Sequence, residues 1–221
     1  MRIKKARINN SPYLGVNSYC NDEVCLVPNN IFPKEEKIFK EYLDAKVVKI
    51  NINQSPLLGV YAIGIKYKLV IGAESISNYE LKILEKEGFK LKFVTDYNAL
   101  GNLIALNSNY GIASPLLSDT TIKEISKFLK VPIEKKQCVE LDLPGSSVYV
   151  NDSLFLVNPS ISEKEYKYLQ KKFKVPGIAT TLNYGGSFVG NDVVGNSKGL
   201  LVGANTSNIE LQKVDSLVVE L

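Results

Sequence analysis

The sequence predicts an α/β fold in which five copies of one ββαβ unit, each about 44 residues long, form a closed five-fold pseudosymmetric propeller. The first observation is a repeated phrase, in which Ser-Pro, one variable residue and Leu-Gly-Val occur at 11–16 and again at 55–60. The second is that related glycines continue at intervals of 44, 42, 44 and 45 residues: Gly15, Gly59, Gly101, Gly145 and Gly190. A period of this length is typical of a repeat architecture.

Each unit has the same predicted order of elements. A short strand follows the glycine, and a turn is expected six residues after it, at Asn21, Ile65, Asn107, Asn151 and Asn196. Because asparagine tolerates positive φ, the four asparagines favour a tight turn that leads into a second apolar strand.

A helix is predicted next, beginning about seventeen residues after each glycine. Serine stands at this place in four units, and three of these serines open a capping box that ends in Glu80, Glu165 and Glu210. The first unit has Pro33 instead, which suits the first position of a helix. The lysine-rich helix faces, as in 163–174, are expected to be solvated and not to bind RNA.

A last strand is predicted to close each unit, at 46–50, 90–94, 131–135, 174–178 and 216–221. A linear stack would need polar caps at both ends, but the fifth unit ends in an apolar segment. Residues 1–8 have a strand-like pattern and are expected to complete the fifth unit. Residues 1–221 are therefore predicted to form a single domain, with repeats at about 9–52, 53–96, 97–141, 142–183 and 184–221.

Composition narrows the classes of function. The chain has no histidine, which excludes Ser-His-Asp and Cys-His catalytic arrangements and removes the commonest transition-metal ligand. Three cysteines cannot build a four-thiolate zinc site, and the late glycines match no phosphate-loop motif, so we expect no metal and no cofactor. Cys20 and Cys25 flank the first turn. A disulfide between them is open, although buried reduced thiols are expected in a cytosolic protein, and Cys138 is expected in or near a closing strand.

Sequence patterns and net charge also limit the expected localisation and partners. No signal-peptide pattern and no apolar run of about 18 residues occurs, so a cytoplasmic protein without a membrane partner is expected. The net charge of +4 permits an RNA-rich partner without requiring one, and nothing in the sequence points to DNA.

Three segments that fall at the repeat landmarks carry a family resemblance: ALGNLIALN (99–107), VYVNDSLFLVNP (148–159) and the glycine-rich stretch 181–211. Together they resemble the archaeal and eukaryotic translation initiation factor 6 family over essentially the whole chain. The resemblance implies the pentein fold and a non-enzymatic factor. It also implies binding to the large ribosomal subunit, through ribosomal proteins and adjacent rRNA, which prevents premature joining of the small subunit. A monomer is expected because closing the ring satisfies the sheet edges within one chain. Tail-dependent regulation is not carried over, because this chain stops at Leu221 and lacks the polar tail of eukaryotic members.

A second function remains as an alternative. The pentein fold also includes guanidine-modifying enzymes, and a divergent enzyme of this kind would act on a guanidine or amidine. Such enzymes use a Cys nucleophile, a His and acidic residues around the axis, and the absence of histidine here disfavours that constellation.

The five turns are the candidate binding site. Equivalent positions in a closed ring lie at one end, so the tips are expected to form a flat polar platform: Asn21, Ile65, Asn107, Ser108, Asn151, Asp152, Val193, Val194 and Asn196. The resemblance favours this end, because the regions of Asn107 and of 193–196 match segments implicated in subunit contact. The alternative is that asparagine is present only as a turn residue. Asn107 is expected to be exposed enough to be replaced by Arg without unfolding.

Overall fold

The structure is a computed structural model that describes residues 1–74 and 76–219. The described chain begins with strand β1 (Arg2–Ala6) and then repeats one set of elements. The first set is α1 (Leu14–Asn17), β2 (Tyr19–Cys20), β3 (Val24–Val27), α2 (Pro33–Leu43) and β4 (Lys46–Lys49). The second is α3 (Leu58–Tyr61), β5 (Ala62–Ile65), β6 (Lys68–Gly72), α4 (Asn78–Lys86) and β7 (Lys90–Val94).

The remaining sets follow the same order. The third is α5 (Leu100–Leu103), β8 (Ile104–Leu106), β9 (Gly111–Ala113), α6 (Asp119–Leu129) and β10 (Ile133–Lys135). The fourth is α7 (Pro144–Ser147), β11 (Val148–Val150), β12 (Phe155–Val157), α8 (Glu163–Phe173) and β13 (Gly177–Ala179). The fifth is α9 (Val189–Asp192), β14 (Val193–Gly195), β15 (Gly199–Gly203) and α10 (Asn208–Val219).

The strands of each set form one three-stranded sheet, and β1 completes the fifth. In the first four sheets the middle strand pairs antiparallel with the strand before it and parallel with the strand after the long helix. In the fifth sheet β15 pairs antiparallel with β14 and parallel with β1, with Lys4 opposite Leu201. The predicted ββαβ repeat is therefore confirmed, and β1 lies in the closing strand position of the fifth sheet.

Some local predictions were wrong. Residues 216–219, predicted as a closing strand, lie in α10, because β1 already occupies the strand position beside β15; residues 220 and 221 of that prediction lie outside the described residues. A one-turn helix that was not predicted precedes the first strand of each set. Asn21, Asn107, Asn151 and Asn196 do not adopt positive φ, whereas Lys66 does, with φ of 53°.

The helix starts follow the predicted capping residues. In α4 the Glu80 N–H donates to the Ser77 hydroxyl (3.3 Å) and the Ser77 N–H donates to the Glu80 carboxylate (2.8 Å), which is a complete capping box. The same exchange joins Ser207 and Glu210 at the start of α10. Pro33 occupies the first turn of α2, as predicted.

The apolar cores lie between neighbouring units and not inside one unit. Phe39 and Leu43 of α2, for example, pack with Val194 and Leu201 of the fifth sheet. Corresponding clusters join the other neighbours around the ring, and the described residues show one such cluster at each joint. Since each cluster combines residues of two neighbouring units, the ring stabilises all five units together.

The ring closes through five glycines of the one-turn helices. A Cβ atom added at Gly59 would overlap the carbonyl oxygen of Gly15, and one at Gly15 would overlap that of Gly190. The same relation continues from Gly190 to Gly145, to Gly101 and back to Gly59, so the five backbones form an unbroken cycle. Only glycine leaves room for backbones to approach this closely.

We predict that Gly101→Ala prevents stable closure of the ring. The new methyl group would collide with the backbone carbonyl of Gly59, which cannot move without displacing the next unit, so the free energy of unfolding should fall by about 3 kcal/mol or more. Urea unfolding measures this loss. Gly88→Ala is the control, because its Cβ meets no atom within 4 Å and its φ of 89° should cost only about 1 kcal/mol. Equal losses in the two variants would contradict the prediction.

Candidate functional site: the hairpin-tip face

The hairpin tips of the five sheets lie at one end of the ring and form what we call the hairpin-tip face: residues 21–23, 65–67, 107–109, 151–153 and 196–198. In four of the tips, the side-chain oxygen of an asparagine accepts hydrogen bonds from backbone N–H groups that follow it in the chain. The Asn151 Oδ1 accepts from the N–H groups of Ser153 and Leu154, both at 2.8 Å. Asparagine therefore makes these turns as a side-chain acceptor, which requires no positive φ.

The other end of each asparagine amide bridges to the next unit. Nδ2 of Asn107 donates to the carbonyl oxygen of Asn151 (3.1 Å), and that of Asn151 donates to the carbonyl of Asn196 (3.0 Å). Asn196 donates in turn to the carbonyl of Asn21 (3.2 Å), and Asn21 to that of Lys66 (2.8 Å). The four amides thus tie consecutive tips into a belt around the ring.

Two of these asparagines also hold the end of a long helix. Nδ2 of Asn107 donates to the carbonyl of Phe173, the last residue of α8 (3.0 Å), and Nδ2 of Asn196 donates to that of Leu43, the last residue of α2 (2.8 Å). Both side chains are consequently buried, with only 4% and 1% of their surface exposed. The expectation that Asn107 is exposed was wrong, because it is a structural joint and not a free tip.

Valines 193 and 194 are also buried, since β14 packs into the cores on both sides of the fifth sheet. Asn21, Ile65 and Asn151 are half-buried. Of the residues predicted for the platform, Ser108 and Asp152 are the exposed ones. The structure therefore places the predicted residues together at one end, but four of the nine are buried and support the surface without forming it.

The exposed layer has its own bridges between units. The N–H and hydroxyl groups of Ser108 donate to the two carboxylate oxygens of Asp152, at 2.7 and 2.6 Å. The N–H of Ser197 donates to the carboxylate of Asp22 (2.7 Å) in the same way. The platform predicted from the sequence did not include Asp22 and Ser197. Their positions directly after Asn21 and Asn196 could have identified them.

Behind the hairpin-tip face lies an axial cavity of about 310 Å³ that extends to the glycine ring. Tyr19 and Tyr149 line its wall, and burial raises the pKa of both phenols above the ordinary value. The Tyr149 hydroxyl accepts from the side chain of Asn151 (3.2 Å), and the Tyr19 hydroxyl from that of Asn21 (3.0 Å). Among the described residues, no group of three or more His, Cys, Asp or Glu side chains could hold a metal ion.

The first sheet also contains a disulfide. Cys20 on β2 and Cys25 on β3 lie directly opposite each other, with their Cα atoms 4.1 Å apart, and the structure joins their sulfur atoms. The expectation of two reduced thiols was wrong here, because the antiparallel register brings both side chains together. Cys138 lies three residues after the closing strand β10, as expected, and is a buried free thiol.

At the opposite end of the strands, a carboxylate from a long helix holds the turn that enters each one-turn helix in four of the five units. Glu210 shows this most fully, since its carboxylate accepts from the N–H groups of Tyr184 (3.1 Å) and Gly185 (2.8 Å) and from the Thr181 hydroxyl (2.7 Å). Glu35, Glu80 and Glu165 make related contacts. The capping-box pattern identified three of these glutamates but gave no sign of this second role.

Asp192 is a buried carboxylate near Glu210. Its Oδ1 accepts from the Asn183 side chain (2.7 Å) and only 2% of its surface is exposed. Burial raises the pKa of Asp192 to about 6, an effect that the hydrogen bond from Asn183 opposes and the Glu210 charge reinforces. Burial alone would also raise the pKa of Glu210, but the N–H groups of Ser207 and Gly185 outweigh it and hold that pKa at about 2.

We predict that Asn107→Ala lowers the free energy of unfolding by about 2–3 kcal/mol, because it leaves buried carbonyl and N–H groups without partners. Asn109→Ala is the matched control. Asn109 is exposed and donates one bond to Phe173 (3.1 Å), so its loss should cost less than about 1 kcal/mol. Urea unfolding of both variants checks the difference, and similar values would show that the belt does not stabilise the ring.

We also predict that Asp192→Asn stabilises the protein at pH 7. A folded pKa of about 6, above the unfolded value of 3.8, means that stability is fully present below pH 3.8 and is lost as pH rises through 6. The substitution should therefore raise the free energy of unfolding by up to about 3 kcal/mol at pH 7 and by little at pH 4. Unfolding measured across pH 4–7 tests this, and a difference independent of pH would rule it out.

The chain is similar to several known proteins. The model of the eIF-6 family matches residues 3–217. Translation initiation factor 6 of Picrophilus torridus is 34% identical over 214 residues, which cover 96% of this chain and 98% of that protein, and Translation initiation factor 6 of Pyrococcus abyssi is 31% identical over 97% of both. A solved dimethylarginine dimethylaminohydrolase matches with 13% identity and a TM-score of 0.47, over 92% of this chain and 72% of that one.

The described helices include none that is long and apolar enough to cross a membrane.

The family match covers nearly the whole chain, and its residues include the five glycines and the four asparagines of the belt. The resemblance found in the sequence is thereby confirmed, and the chain belongs to the eIF-6 family of translation initiation factors.

Proposed function

We propose that this protein binds the large ribosomal subunit through its hairpin-tip face and so prevents premature joining of the small subunit. The observation that carries this proposal is the double set of bridges between tips: the amide belt beneath and the serine–aspartate pairs above. A surface fixed in this way loses little conformational freedom on binding, which favours docking on another rigid surface. Specific interfaces need roughly 800 Å² per partner, an area that five adjacent tips can supply.

The proposed mechanism is occlusion. The protein of 24.5 kDa, acting as one monomeric domain in the cytoplasm, occupies subunit surface that the small subunit needs. Joining must then first overcome the binding free energy of the factor. The partners are ribosomal proteins with adjacent rRNA, and the mechanism uses no nucleotide, metal or other cofactor.

The chemistry of the chain supports a non-enzymatic role. It contains no histidine, and Cys20 and Cys25 are joined to each other. Burial raises the pKa of the Cys138 thiol to about 12, so that this thiol is protonated near pH 7 and a poor nucleophile. A divergent amidine-modifying enzyme would need a reactive thiolate, which none of the three cysteines offers in this structure.

Cosedimentation with purified ribosomal subunits tests the proposal. The protein should travel with large subunits and be absent from joined ribosomes, and adding it before mixing should reduce the joined fraction. Failure to bind large subunits, together with turnover of arginine or agmatine, would favour the enzyme instead.

We predict that Ser197→Arg weakens binding to the large subunit by about 2 kcal/mol or more, roughly thirtyfold. Ser197 is exposed and holds Asp22 through its backbone N–H, so the arginine adds a long charge to the face without removing that bridge. The substitution therefore avoids the buried joints at Asn107 and Asn196. An unchanged unfolding midpoint, measured alongside the affinity, separates the loss of contact from unfolding.

The control is a double reversal on an outer helix, Lys164→Glu with Lys171→Glu. Both lysines are exposed on α8 and neither belongs to the hairpin-tip face, so the reversals should change the affinity by less than about threefold at physiological salt. A severe loss from these reversals with a steep salt dependence, and no effect of Ser197→Arg, would mean that the protein docks through its helices onto RNA phosphates.

A further inference from the structure

The joint between the second and third units lacks the amide bridge that closes the other four. Its landmark residue is Ile65, whose side chain has no donor to place on Asn107 or on the end of α6. A cavity of about 270 Å³ lies at this joint. We call it the joint cleft, and its lining residues are Ile65, Lys66, Lys68, Ser108, Leu129, Lys130 and Val131.

The joint cleft is positively charged. Three of its seven lining residues are lysines, and within the described chain no carboxylate lines it. Lys66 lies 3.6 Å from Glu23 in an exposed pair, which is worth little, and Lys68 donates to the carbonyl of Phe128 (2.7 Å). The cleft therefore complements an anionic partner.

The equivalent joint between the fifth and first units does not have this excess of positive charge. There the left-handed residue that ends α2 is Asp44, and it pairs with Lys198 at 3.0 Å. Lys130 holds the same position at the end of α6, with φ of 64°, and lies beside Lys66 and Lys68. At the joint between the fifth and first units, the lysine charge is thus neutralised by an aspartate of the same chain. At the joint cleft, the positive charge remains available for a partner.

The floor of the joint cleft is aliphatic. Ile65 is half-buried, and Leu129 and Val131 are each 4% exposed. No aromatic side chain is among the described lining residues, whereas sites for single-stranded RNA stack bases on aromatic rings. An aliphatic floor below a rim of ammonium groups fits an aliphatic side chain that is flanked by carboxylates.

We propose that the joint cleft binds an acidic peptide segment of a protein partner, with an aliphatic side chain on the floor and flanking carboxylates on Lys66 and Lys130. The proposal rests on the proposed function, because Ile65 and Ser108 belong to the hairpin-tip face, and it names the chemistry of one partner segment there. The cleft lies at the one joint whose landmark residue is not asparagine, so the Ile65 position both lacks the bridge and lines the site.

A synthetic peptide tests the proposal directly. The probe is acetyl-Asp-Leu-Glu-Leu-Asp-amide, titrated into the isotope-labelled full chain while backbone amide resonances are followed. We expect shifts confined to Ile65, Ser108, Lys130 and their neighbours. The neutral analogue with Asn and Gln should bind at least about tenfold more weakly, and so should the acidic analogue with Gly in place of Leu.

Two matched variants locate the binding charge. Lys130→Asp should weaken peptide binding by at least about tenfold. Aspartate is compatible with the positive φ of this position, because Asp44 adopts a positive φ at the equivalent position after α2. Lys174→Asp makes the same change at the end of α8, where φ is 59° and the joint is closed by Asn107, and should change binding by less than about twofold. Ile65→Asn, which restores the bridging residue, should also abolish binding.

The outcomes separate this proposal from the proposed function. Equal losses in Lys130→Asp and Lys174→Asp, or no localised shifts, would overturn the acidic-peptide site, as would shifts produced by an RNA hexanucleotide and not by the peptide. If the wild-type chain fails to cosediment with large subunits but still binds the peptide at the cleft, the ribosome proposal fails and the peptide site stands. If the wild type and Lys130→Asp cosediment equally and the peptide does not bind, only the peptide site fails.

Discussion

The whole structure depends on the close approach of five backbones around one axis. At each of the five glycines the carbonyl oxygen of a neighbouring unit occupies the space that a side chain would need. This contact sets the spacing of the units, and the spacing allows each long helix to fill the gap between two sheets. Each core is shared by two neighbouring units, so the glycine ring joins five ββαβ units into one stable fold.

The same ring geometry gives asparagine two functions. Locally it makes a turn by accepting from the two N–H groups ahead of it, and across the joint it donates to the next tip. Asn107 and Asn196, which also hold the ends of α8 and α2, are almost completely buried, whereas Asn21 and Asn151 are half-buried. The exposed surface belongs instead to the next residues along the chain, Ser108, Asp152, Asp22 and Ser197, which the belt holds in place.

Distinctive chemistry lies where the units differ from each other. Ile65 replaces the bridging asparagine and leaves a lysine-rimmed cleft at one joint. In the fifth unit, Asp192 is buried near Glu210, and their pKa values are displaced in opposite directions because one carboxylate is mainly desolvated and the other is surrounded by donors. Pseudosymmetry therefore supplies the scaffold, and departures from it supply the specific sites.

The sequence by itself determined the repeat, the ββα order of two strands and a long helix in each unit, and the helix starts at residues such as Ser77 and Pro33, because these depend on contacts within a few residues. It also placed the tips at one end of the ring. Only the tertiary structure decided that 216–219 are helical beside a strand from the N-terminus, that Asn107 is buried, and that Glu210 holds the turn at 184–185. The physical reason is distance along the chain: these choices are made by hydrogen bonds and packing between segments 25 to more than 150 residues apart, which local patterns do not encode.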